Sequence, residues 1–367
     1  MLMVVFGTRP EIIKMSPIVN CALSRGIETV MFHSAQHYSE NMDKIFLSGL
    51  NLPVHKIIFS KYKGSELSRI IMESSNVIRE INPGIVLVQG DTNTALATSL
   101  AARKLHKFVG HVEAGLRSND WRMPEEHNRV IIDHISELLF APTEETAENL
   151  RRDNVQGKIV VTGNTIVDMV LEGRKIAEGK SSILKTLEAI PSDYFLVTLH
   201  REENVDDPRI MKALTESIKA VAGRFQKKII FPMHPRTRKR IREFEMEEDL
   251  KATPGLRIID PIGYLDLLRL LEKSALVLTD SGGLQEESCS LKVPCVTLRN
   301  NTERPETVEV GANMIAGTSP ESVSAAVEKM LSAPHAWPNP LGDGRASERI
   351  IDEVQKVLQG DISGLPC

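Results

Sequence analysis

The sequence predicts an α/β protein of two doubly wound, Rossmann-like parallel-sheet domains. Short runs of β-branched and aliphatic residues alternate with longer amphipathic stretches, as Leu2–Phe6 does with residues 10–24, and this alternation is typical of βαβ units. The rhythm restarts at residues 194–199, after residues 173–192, which lack strand character. The length of 367 residues also favours two domains, since a domain commonly holds roughly 150 residues.

Each predicted strand is an apolar run bounded by turn residues, as expected for strands buried on both faces of a sheet. The predicted strands are residues 2–6, 27–33, 85–89, 108–112 and 158–161, then 194–199, 228–231, 256–259, 275–278 and 295–298. Helices are predicted over 10–24, 92–105 and 343–358, and from Pro124 with an apolar stripe that includes Ile131, Ile135, Leu138 and Leu139. Asp207-Pro208 and Ser319-Pro320 predict helix starts, since each pairs an N-cap side chain with a proline.

Composition and charge exclude several classes of function. Hydrophobic residues make up 41% of the chain and charged residues 26%, which is ordinary for a globular protein. A net charge of −4 offers no global cationic field for nucleic acid or an anionic membrane. No apolar run approaches the roughly 20 residues of a membrane span, and the N-terminus lacks signal-peptide features. We therefore expect a cytoplasmic protein without nucleic-acid or membrane partners, whose four cysteines are reduced thiols.

Polar and ionisable residues follow seven of the predicted strands. These are Gly7-Thr8-Arg9, Gln36-His37, Gly90-Asp91 and Glu113, then His200-Arg201, His234 and Asp280-Ser281-Gly282-Gly283. Because open parallel sheets bind ligands beyond the carboxyl ends of their strands, these residues predict one cleft between the two domains.

Residues 280–287 read as a strand end, a Gly-Gly turn and a helix start, which would aim free N–H groups at an anion such as a diphosphate. The alternative is a tight turn capped by Ser281. Glu287, one helical turn after Gly283, is placed to reach a ribose diol, unless it is a solvated helix carboxylate. Neither GxGxxG after the first strand nor GxxxxGK[ST] is present, which disfavours dinucleotide and P-loop sites.

Asp91, Glu113 and Glu125 are the acid/base candidates, and each has a structural alternative. Asp91 could instead cap the helix beginning at Thr92. Glu113 could form an ion pair with Arg117 or Arg122, and Glu125 could form a surface ion pair with Arg129.

The histidines and cations have structural alternatives of their own. His200 and His234 would otherwise be hydrogen-bonded strand-end histidines, and Arg9, Lys14 and Arg304 surface cations. We predict no metal site, because His127 and His134 would stand about 10 Å apart along a helix axis.

Eight motifs together resemble the non-hydrolysing UDP-N-acetylglucosamine 2-epimerases, in the order of that family and over nearly the whole chain. They are Gly7-Thr-Arg-Pro-Glu-Ile-Ile-Lys14, Gln89-Gly-Asp-Thr92, Gly110-His-Val-Glu-Ala-Gly-Leu-Arg117, Pro124-Glu-Glu-His-Asn-Arg129, Gly163-Asn-Thr165, His200-Arg201, Leu278-Thr-Asp-Ser-Gly-Gly-Leu-Gln-Glu-Glu287 and Thr302-Glu-Arg-Pro-Glu306.

The resemblance implies a GT-B architecture, with a nucleotide sugar between two Rossmann-like domains. It implies an N-terminal domain over 1–175 that the C-terminal helix, about 343–367, crosses back to join, and a UDP-binding domain over 190–342. It also implies a homodimer that reversibly interconverts UDP-GlcNAc and UDP-ManNAc without a cofactor, by elimination of UDP to 2-acetamidoglucal and re-addition. A hydrolysing relative, an epimerase of another UDP-amino sugar, a GT-B glycosyltransferase and a non-catalytic nucleotide-sugar sensor remain as alternatives.

The family's site residues transfer by motif. Catalytic roles fall to Asp91, Glu113, Glu125 and His200; substrate binding to Arg9, Lys14, Arg129, Ser281, Gly282, Gly283, Glu287 and Arg304; and a second, regulatory UDP-GlcNAc to Gln36, His37, Arg69, Arg201 and His234. This chain departs from many bacterial members at Tyr38, Glu202 and Ser288-Cys289, and the departures bear on the regulatory contacts.

Overall fold

The computed structural model describes residues 1–36, 49–50, 52–60 and 64–366. The chain folds into two compact units. Unit 1 comprises Met1–Leu171 with Leu341–Cys367, and unit 2 comprises Glu172–Pro340. The C-terminal segment therefore folds with the first unit.

Unit 1 is a parallel sheet with helices between its strands. The strands are β1 Leu2–Phe6, β2 Thr29–His33, β3 Ile57–Phe59, β4 Ile85–Gln89, β5 Phe108–Val112, β6 Leu138–Ala141 and β7 Lys158–Val161. The helices are α1 Arg9–Ser24, α2 Leu67–Ile81, α3 Asn93–Lys104, α4 Pro124–Ile135, α5 Glu144–Arg152 and α6 Thr165–Lys180, and the boundary between the units lies within α6. A short 3-10 turn, Val54–Lys56, precedes β3.

Unit 2 repeats this plan. Its strands are β8 Tyr194–Thr198, β9 Lys228–Pro232, β10 Leu256–Ile259, β11 Leu276–Thr279, β12 Cys295–Thr297 and β13 Asn313–Ile315. Its helices are α7 Ile183–Thr186, α8 Glu202–Val205, α9 Pro208–Phe225, α10 Pro235–Glu243, α11 Glu247–Lys251, α12 Tyr264–Lys273, α13 Gly282–Leu291, α14 Pro305–Glu309 and α15 Pro320–Ser332. The last helix, α16 Ala346–Leu358, belongs to unit 1.

The two sheets share one strand order. Within the described residues, the first sheet runs β3-β2-β1-β4-β5-β6-β7 and the second β10-β9-β8-β11-β12-β13, and the strand pairs are parallel. Each order reverses direction once, between β1 and β4 and between β8 and β11, as in a doubly wound Rossmann-like fold. The predicted fold class of two such domains is confirmed.

The burial of the strands explains why the sequence shows them as continuous apolar runs. β1, β4 and β8 are buried along their whole length, because helices cover both faces of a doubly wound sheet. Asp207 and Ser319 cap α9 and α15 through their side chains, as predicted. Cys21, Cys289 and Cys295 are free thiols, and Cys367 lies outside the described residues.

One helix prediction is wrong. The helix from Pro124 ends at Ile135, and Leu138 and Leu139 begin β6 instead of extending an apolar stripe. Ser136 takes an extended backbone conformation, with φ −90° and ψ 141°, that ends the helix. Ile131, placed on the same stripe, is 42% exposed. A short apolar run cannot be assigned to helix or strand by periodicity alone.

Across the part of the chain that the structure describes, no helix is long and apolar enough to cross a membrane.

Candidate active site

Four of the predicted site residues lie at the two points where the strand order reverses. In unit 1, Arg9 follows β1 and Asp91 follows the neighbouring β4. In unit 2, His200 follows β8 and Ser281 follows the neighbouring β11. Helices leaving adjacent strands on opposite faces open a crevice at such a switch point, and ligands bind there.

Glu113 is held at the carboxyl end of β5 by a buried cation and two amides. Lys14 Nζ lies 2.6 Å from its Oε1, Gln89 Nε2 donates to its Oε2, and Asn164 Nδ2 lies 3.5 Å from Oε1. Glu113 also has a φ of 67°, a left-handed conformation that costs a non-glycine residue roughly 1–2 kcal/mol. Such strain clusters at functional sites. The backbone and the buried ion pair together aim this carboxylate.

The alternative pairing of Glu113 with a nearby arginine is wrong. The Arg117 guanidinium lies 2.7 Å from Asp133 and 2.7 Å from Asp153. Arg122 pairs with Asp120, again at 2.7 Å. Both arginines are thus engaged by other carboxylates, and Glu113 is paired with Lys14.

Asp91 is anchored by Arg129 and does not cap a helix. Arg129 Nη2 lies 2.5 Å from Asp91 Oδ2, and Asn128 Nδ2 donates to the Asp91 carbonyl at 2.8 Å. The cap of α3 is Thr92, whose Oγ1 accepts from the Ala95 N–H. Both anchors of Asp91 come from α4, which fixes the β4 exit against that helix.

The two adjacent glutamates at the start of α4 differ in environment. Glu126 is buried and accepts hydrogen bonds from Ser118, Asn119 and Arg129, and the hydrogen bonds from Ser118 help to lower its pKa against the opposing effect of burial. Glu125 is exposed and makes no side-chain hydrogen bond or ion pair with a described residue. The alternative of a Glu125–Arg129 surface pair is wrong, and Glu125 is available to a ligand.

Glu11 is a buried carboxylate that the sequence reasoning missed. Its Oε2 accepts from the Gly7 N–H at 3.0 Å and from Thr8 Oγ1 at 2.8 Å, and its Oε1 accepts from Thr92 Oγ1 at 2.8 Å. Burial raises the pKa of Glu11 to about 7, although these hydrogen bonds act to lower it. The spacing of Thr8 and Glu11 is that of a capping box, which was the available signal.

In unit 2, Asp280 holds the main chain of the proposed catalytic histidine. This carboxylate is fully buried and accepts from the N–H groups of His200, at 3.1 Å, and Arg201, at 3.0 Å, and from Asn204 Nδ2 at 3.2 Å. The His200 imidazole has no hydrogen-bond partner among the described residues. The alternative of a hydrogen-bonded strand-end histidine is therefore wrong for His200.

That alternative does describe His234. Its Nδ1 accepts from the Arg236 N–H at 3.2 Å and caps α10. The His234 ring centroid lies 6.0 Å from that of His200, so the two imidazoles stand side by side beyond β8 and β9.

The N-terminus of α13 carries two glycines that the chain's own geometry does not require. Ser281 Oγ caps the helix by accepting from the Leu284 N–H at 3.5 Å. A Cβ on Gly282 would meet its nearest neighbour at 3.4 Å, and one on Gly283 at 3.8 Å, both ordinary contacts. Neither glycine has a positive φ. A capped tight turn accounts for a serine at position 281 but not for the two glycines that follow it. Binding of an anion to the N–H groups of the first helical turn would account for the serine and for the glycines.

Two further substrate-binding candidates are buried and held by other side chains. Glu287 is 5% exposed, so a solvated carboxylate is ruled out. Burial, with a further contribution from Glu287, raises the pKa of Tyr264 well above its ordinary value, which places the phenol beside that carboxylate. Arg304 Nε lies 2.8 Å from Glu286 Oε1, and its side chain is largely buried. Arg304 is thus a positioned cation, not a surface one.

Four of the five proposed regulatory residues lie within the described chain. Gln36 Oε1 accepts from the Thr94 N–H at 3.0 Å. Arg69 pairs with Glu73 at 2.7 Å, and Arg201 with Glu303 at 3.1 Å. His234 caps α10, as described above. His37 and the departing residue Tyr38 fall outside the described residues, and Glu202, another departure, pairs with Arg236.

In the described ranges, no group of three or more His, Cys, Asp or Glu side chains is arranged to hold a metal ion. His127 Nε2 lies 2.8 Å from the Trp121 carbonyl, and His134 Nδ1 lies 2.8 Å from the Val130 carbonyl.

Comparison with known families settles the chain's relationships. The family model described as UDP-N-acetylglucosamine 2-epimerase matches residues 20–355. The chain belongs to this family.

Relatives match over almost their full length. The UDP-N-acetylglucosamine 2-epimerase of Methanocaldococcus jannaschii is 50% identical over 356 residues, which covers 95% of this chain and 97% of the relative. The protein of the same name from Methanococcus maripaludis is 48% identical, with 96% and 97% covered. The crystal structure of the M. jannaschii enzyme in complex with UDP-GlcNAc and UDP has a TM-score of 0.85 at 49% identity, and 96% of this chain and 99% of that one are covered. The GT-B fold class implied by the resemblance is confirmed.

Proposed function

We propose that the chain catalyses reversible C2 epimerisation of UDP-GlcNAc and UDP-ManNAc without hydrolysing the product. Membership of the epimerase family supports the activity. The observation that carries the proposal is the pair of carboxylates, Asp91 and Glu113, which Arg129 and Lys14 hold at the strand exits of unit 1.

The chemistry accounts for these residue types. The C2 proton of the sugar is not adjacent to a carbonyl and is poorly acidic. Cleavage of the anomeric C–O bond builds positive charge on the sugar, so a carboxylate can then remove the proton. This elimination yields UDP and 2-acetamidoglucal. Return of a proton to the opposite face of C2 and of UDP to C1 gives the epimer, so acid/base groups are needed on both faces.

We propose Asp91, Glu113 and Glu125 as the acid/base carboxylates and His200 as the fourth catalytic group. We propose Arg129 as one of the substrate-binding residues, and its contact to Asp91 supports this. Because Glu125 has no described partner of its own and lies in the first turn of α4, its carboxylate is available to a substrate without breaking an existing ion pair.

The leaving diphosphate requires cations and N–H donors, since negative charge grows on it as the anomeric bond breaks. We propose that Ser281, Gly282 and Gly283 bind phosphate at the start of α13, with Arg304 as a bidentate donor. Glu287 would bind the ribose diol. Arg9 and Lys14 complete the proposed set of substrate-binding residues.

Proton exchange at C2 tests the reaction directly. Incubation of the purified protein with UDP-GlcNAc in D2O, followed by 1H NMR, should give a UDP-GlcNAc and UDP-ManNAc mixture that carries deuterium at C2, without added NAD and unaffected by EDTA. Release of free ManNAc and UDP would identify a hydrolysing enzyme instead. Retention of the original C2 hydrogen in an epimerised product would refute proton removal, and no conversion at all would favour another sugar substrate, a glycosyltransferase or a sensor.

A second UDP-GlcNAc is proposed to regulate the reaction through Gln36, His37, Arg69, Arg201 and His234. A ligand favours a closed state only if it binds that state more tightly. Contaminant-free UDP-ManNAc should then react slowly until a trace of UDP-GlcNAc is added, and Gln36→Ala should weaken this activation more than it weakens UDP binding. A progress curve that starts at full rate and does not respond to UDP-GlcNAc would exclude the regulatory site.

We further propose that the enzyme is a cytoplasmic homodimer. Light scattering coupled to gel filtration should give twice the chain mass of 40.8 kDa. A mass equal to one chain across micromolar concentrations would refute the dimer.

A further inference from the structure

We propose that Asp280 is a positioning residue that joins the catalytic histidine to the diphosphate-binding turn. The proposal rests on the proposed function, in which His200 is catalytic and Ser281-Gly282 bind phosphate. Asp280 is not among the proposed catalytic or substrate-binding residues.

The geometry makes Asp280 the shared support of both sites. Its carboxylate accepts from the N–H groups of His200 and Arg201, directly beyond β8. Through the chain it is bonded to Ser281, the cap of α13. Because β8 and β11 are neighbours in the sheet, this one side chain spans the switch point of unit 2.

Nothing in the sheet itself would hold the His200 main chain in this way. β8 ends at Thr198, so the N–H groups of His200 and Arg201 lie beyond the parallel ladder. Asn204 extends the bridge, since its Nδ2 donates both to Asp280 at 3.2 Å and to the Leu298 carbonyl beyond β12 at 3.0 Å. The His200 imidazole has no described hydrogen-bond partner, and its position therefore depends on its main chain. A movement of Asp280 would be transmitted to the imidazole and to the Ser281 turn.

The informative variant is Asp280→Asn. The His200 N–H lies 3.1 Å from both Asp280 oxygens, and the Arg201 N–H donates to Oδ2. In the variant the amide oxygen can still accept from both N–H groups, but the NH2 group that replaces the other oxygen would face the His200 N–H, a donor against a donor. Asp168→Asn is the matched control, because Asp168 is also buried and also accepts from two successive main-chain N–H groups, those of Ala346 and Ser347 in unit 1. Both substitutions remove a buried carboxylate, but only one of them contacts His200.

A double-mutant cycle distinguishes positioning from general damage. Asp280→Asn should lower kcat about tenfold to a hundredfold, since misplacement by about 1 Å can cost a factor of about a hundred. In the His200→Asn background the same substitution should lower kcat by a clearly smaller factor, because the imidazole it positions is already gone and only its support of the Ser281 turn remains. Asp168→Asn should leave kcat within about twofold of wild type. An equal loss in both backgrounds, or an unchanged kcat in the single variant, would overturn the proposal.

Hydrogen exchange measured by mass spectrometry tests the positioning role without relying on enzyme activity. In Asp280→Asn the amides of His200 and Arg201 should exchange at least about tenfold faster than in wild type, and Asp168→Asn should leave them unchanged. Unchanged exchange there in Asp280→Asn would refute the positioning role. If wild-type protein fails to epimerise UDP-GlcNAc, the proposed function fails, whereas the exchange result still decides whether Asp280 holds this segment.

Discussion

Replacement of Glu11 by glutamine should change how the stability of unit 1 depends on pH. Glu11 is 2% exposed, and burial raises its pKa to about 7 from an ordinary 4.5. Its two carboxyl oxygens accept hydrogen bonds from the Gly7 N–H and from the hydroxyl groups of Thr8 and Thr92. Between pH 4.5 and 7 the folded chain therefore keeps a proton on Glu11 that the unfolded chain has lost.

The sign and size of the effect follow from proton linkage. Because the folded state binds more protons in this window, the free energy of unfolding contributed by Glu11 is greatest below pH 4.5 and falls as the pH rises to 7. The folded and unfolded pKa values differ by about 2.5, and at about 1.36 kcal/mol for each pKa unit the loss is about 3 kcal/mol. Glutamine does not titrate, so the Glu11→Gln variant lacks this loss.

The assay must report on unit 1 alone, since two-unit proteins need not unfold in one transition. Urea titrations from pH 4.5 to 7.5, read by hydrogen exchange of the β1 peptide, meet this need. The stability of wild type relative to Glu11→Gln should decline by about 3 kcal/mol across the window and stay flat above pH 7. Glu80→Gln, an exposed carboxylate on α2, serves as the surface control. A difference that is flat or that rises from pH 4.5 to 7 would refute the argument.

Three other substitution experiments probe the proposed site. Removal of a general acid or base should lower kcat at least about a hundredfold, while the affinity for UDP, measured by calorimetry, should change little. We expect this for each of Asp91→Asn, Glu113→Gln, Glu125→Gln and His200→Asn. Near-normal rates in all four variants would contradict the assignment. Lys14→Met should destabilise unit 1 by about 3–5 kcal/mol in urea unfolding, since it strands a buried carboxylate, and adding Glu113→Gln should recover part of this loss. Arg304→Met should weaken UDP binding at least about tenfold by calorimetry; unchanged affinity would remove Arg304 from the diphosphate site.

The sequence predicted most of the strands but missed three short ones. β1, β4, β5 and β7 match their predicted bounds, and for β1, β4 and β5 the reason is that strands buried on both faces are continuous apolar runs. The edge strands β3 and β13 have only three residues each and were not predicted, and the start of the four-residue β6, inside the first sheet, was assigned to a helix stripe. A run of three or four residues is too short to show a period in its hydrophobic residues. It becomes a strand only because it hydrogen-bonds to the strand beside it.

The site was predictable as far as residue types at strand exits, but the partners of those residues were not. Strand ends can be read from an apolar run, and the carboxyl-end rule then selects Asp91 and Glu113. Their partners Arg129 and Lys14 lie 38 and 99 residues away along the chain. Such pairings depend on helix placement, so the local alternatives of a cap or a nearby arginine looked equally good. Glu126 was missed for the same reason, since only the folded loop shows that it, and not Glu125, is buried.

In both units a buried carboxyl group accepts hydrogen bonds from groups beyond the strand ends at the switch point. Adjacent strands there send their chains to opposite faces, so the main chain beyond each strand leaves the ladder without a partner. In unit 1, Glu11 gathers donors from the β1 exit and from Thr92 beyond β4; in unit 2, Asp280 at the β11 exit gathers donors beyond β8. A buried carboxyl group suits this place because its two oxygens can accept several hydrogen bonds at once. Each of the two groups is surrounded by its own donors, and this fixes the main chain around it. The carboxylates proposed to act on the sugar are then a different set from those that hold the strand exits, and substitutions in the two sets should separate effects on kcat from effects on stability.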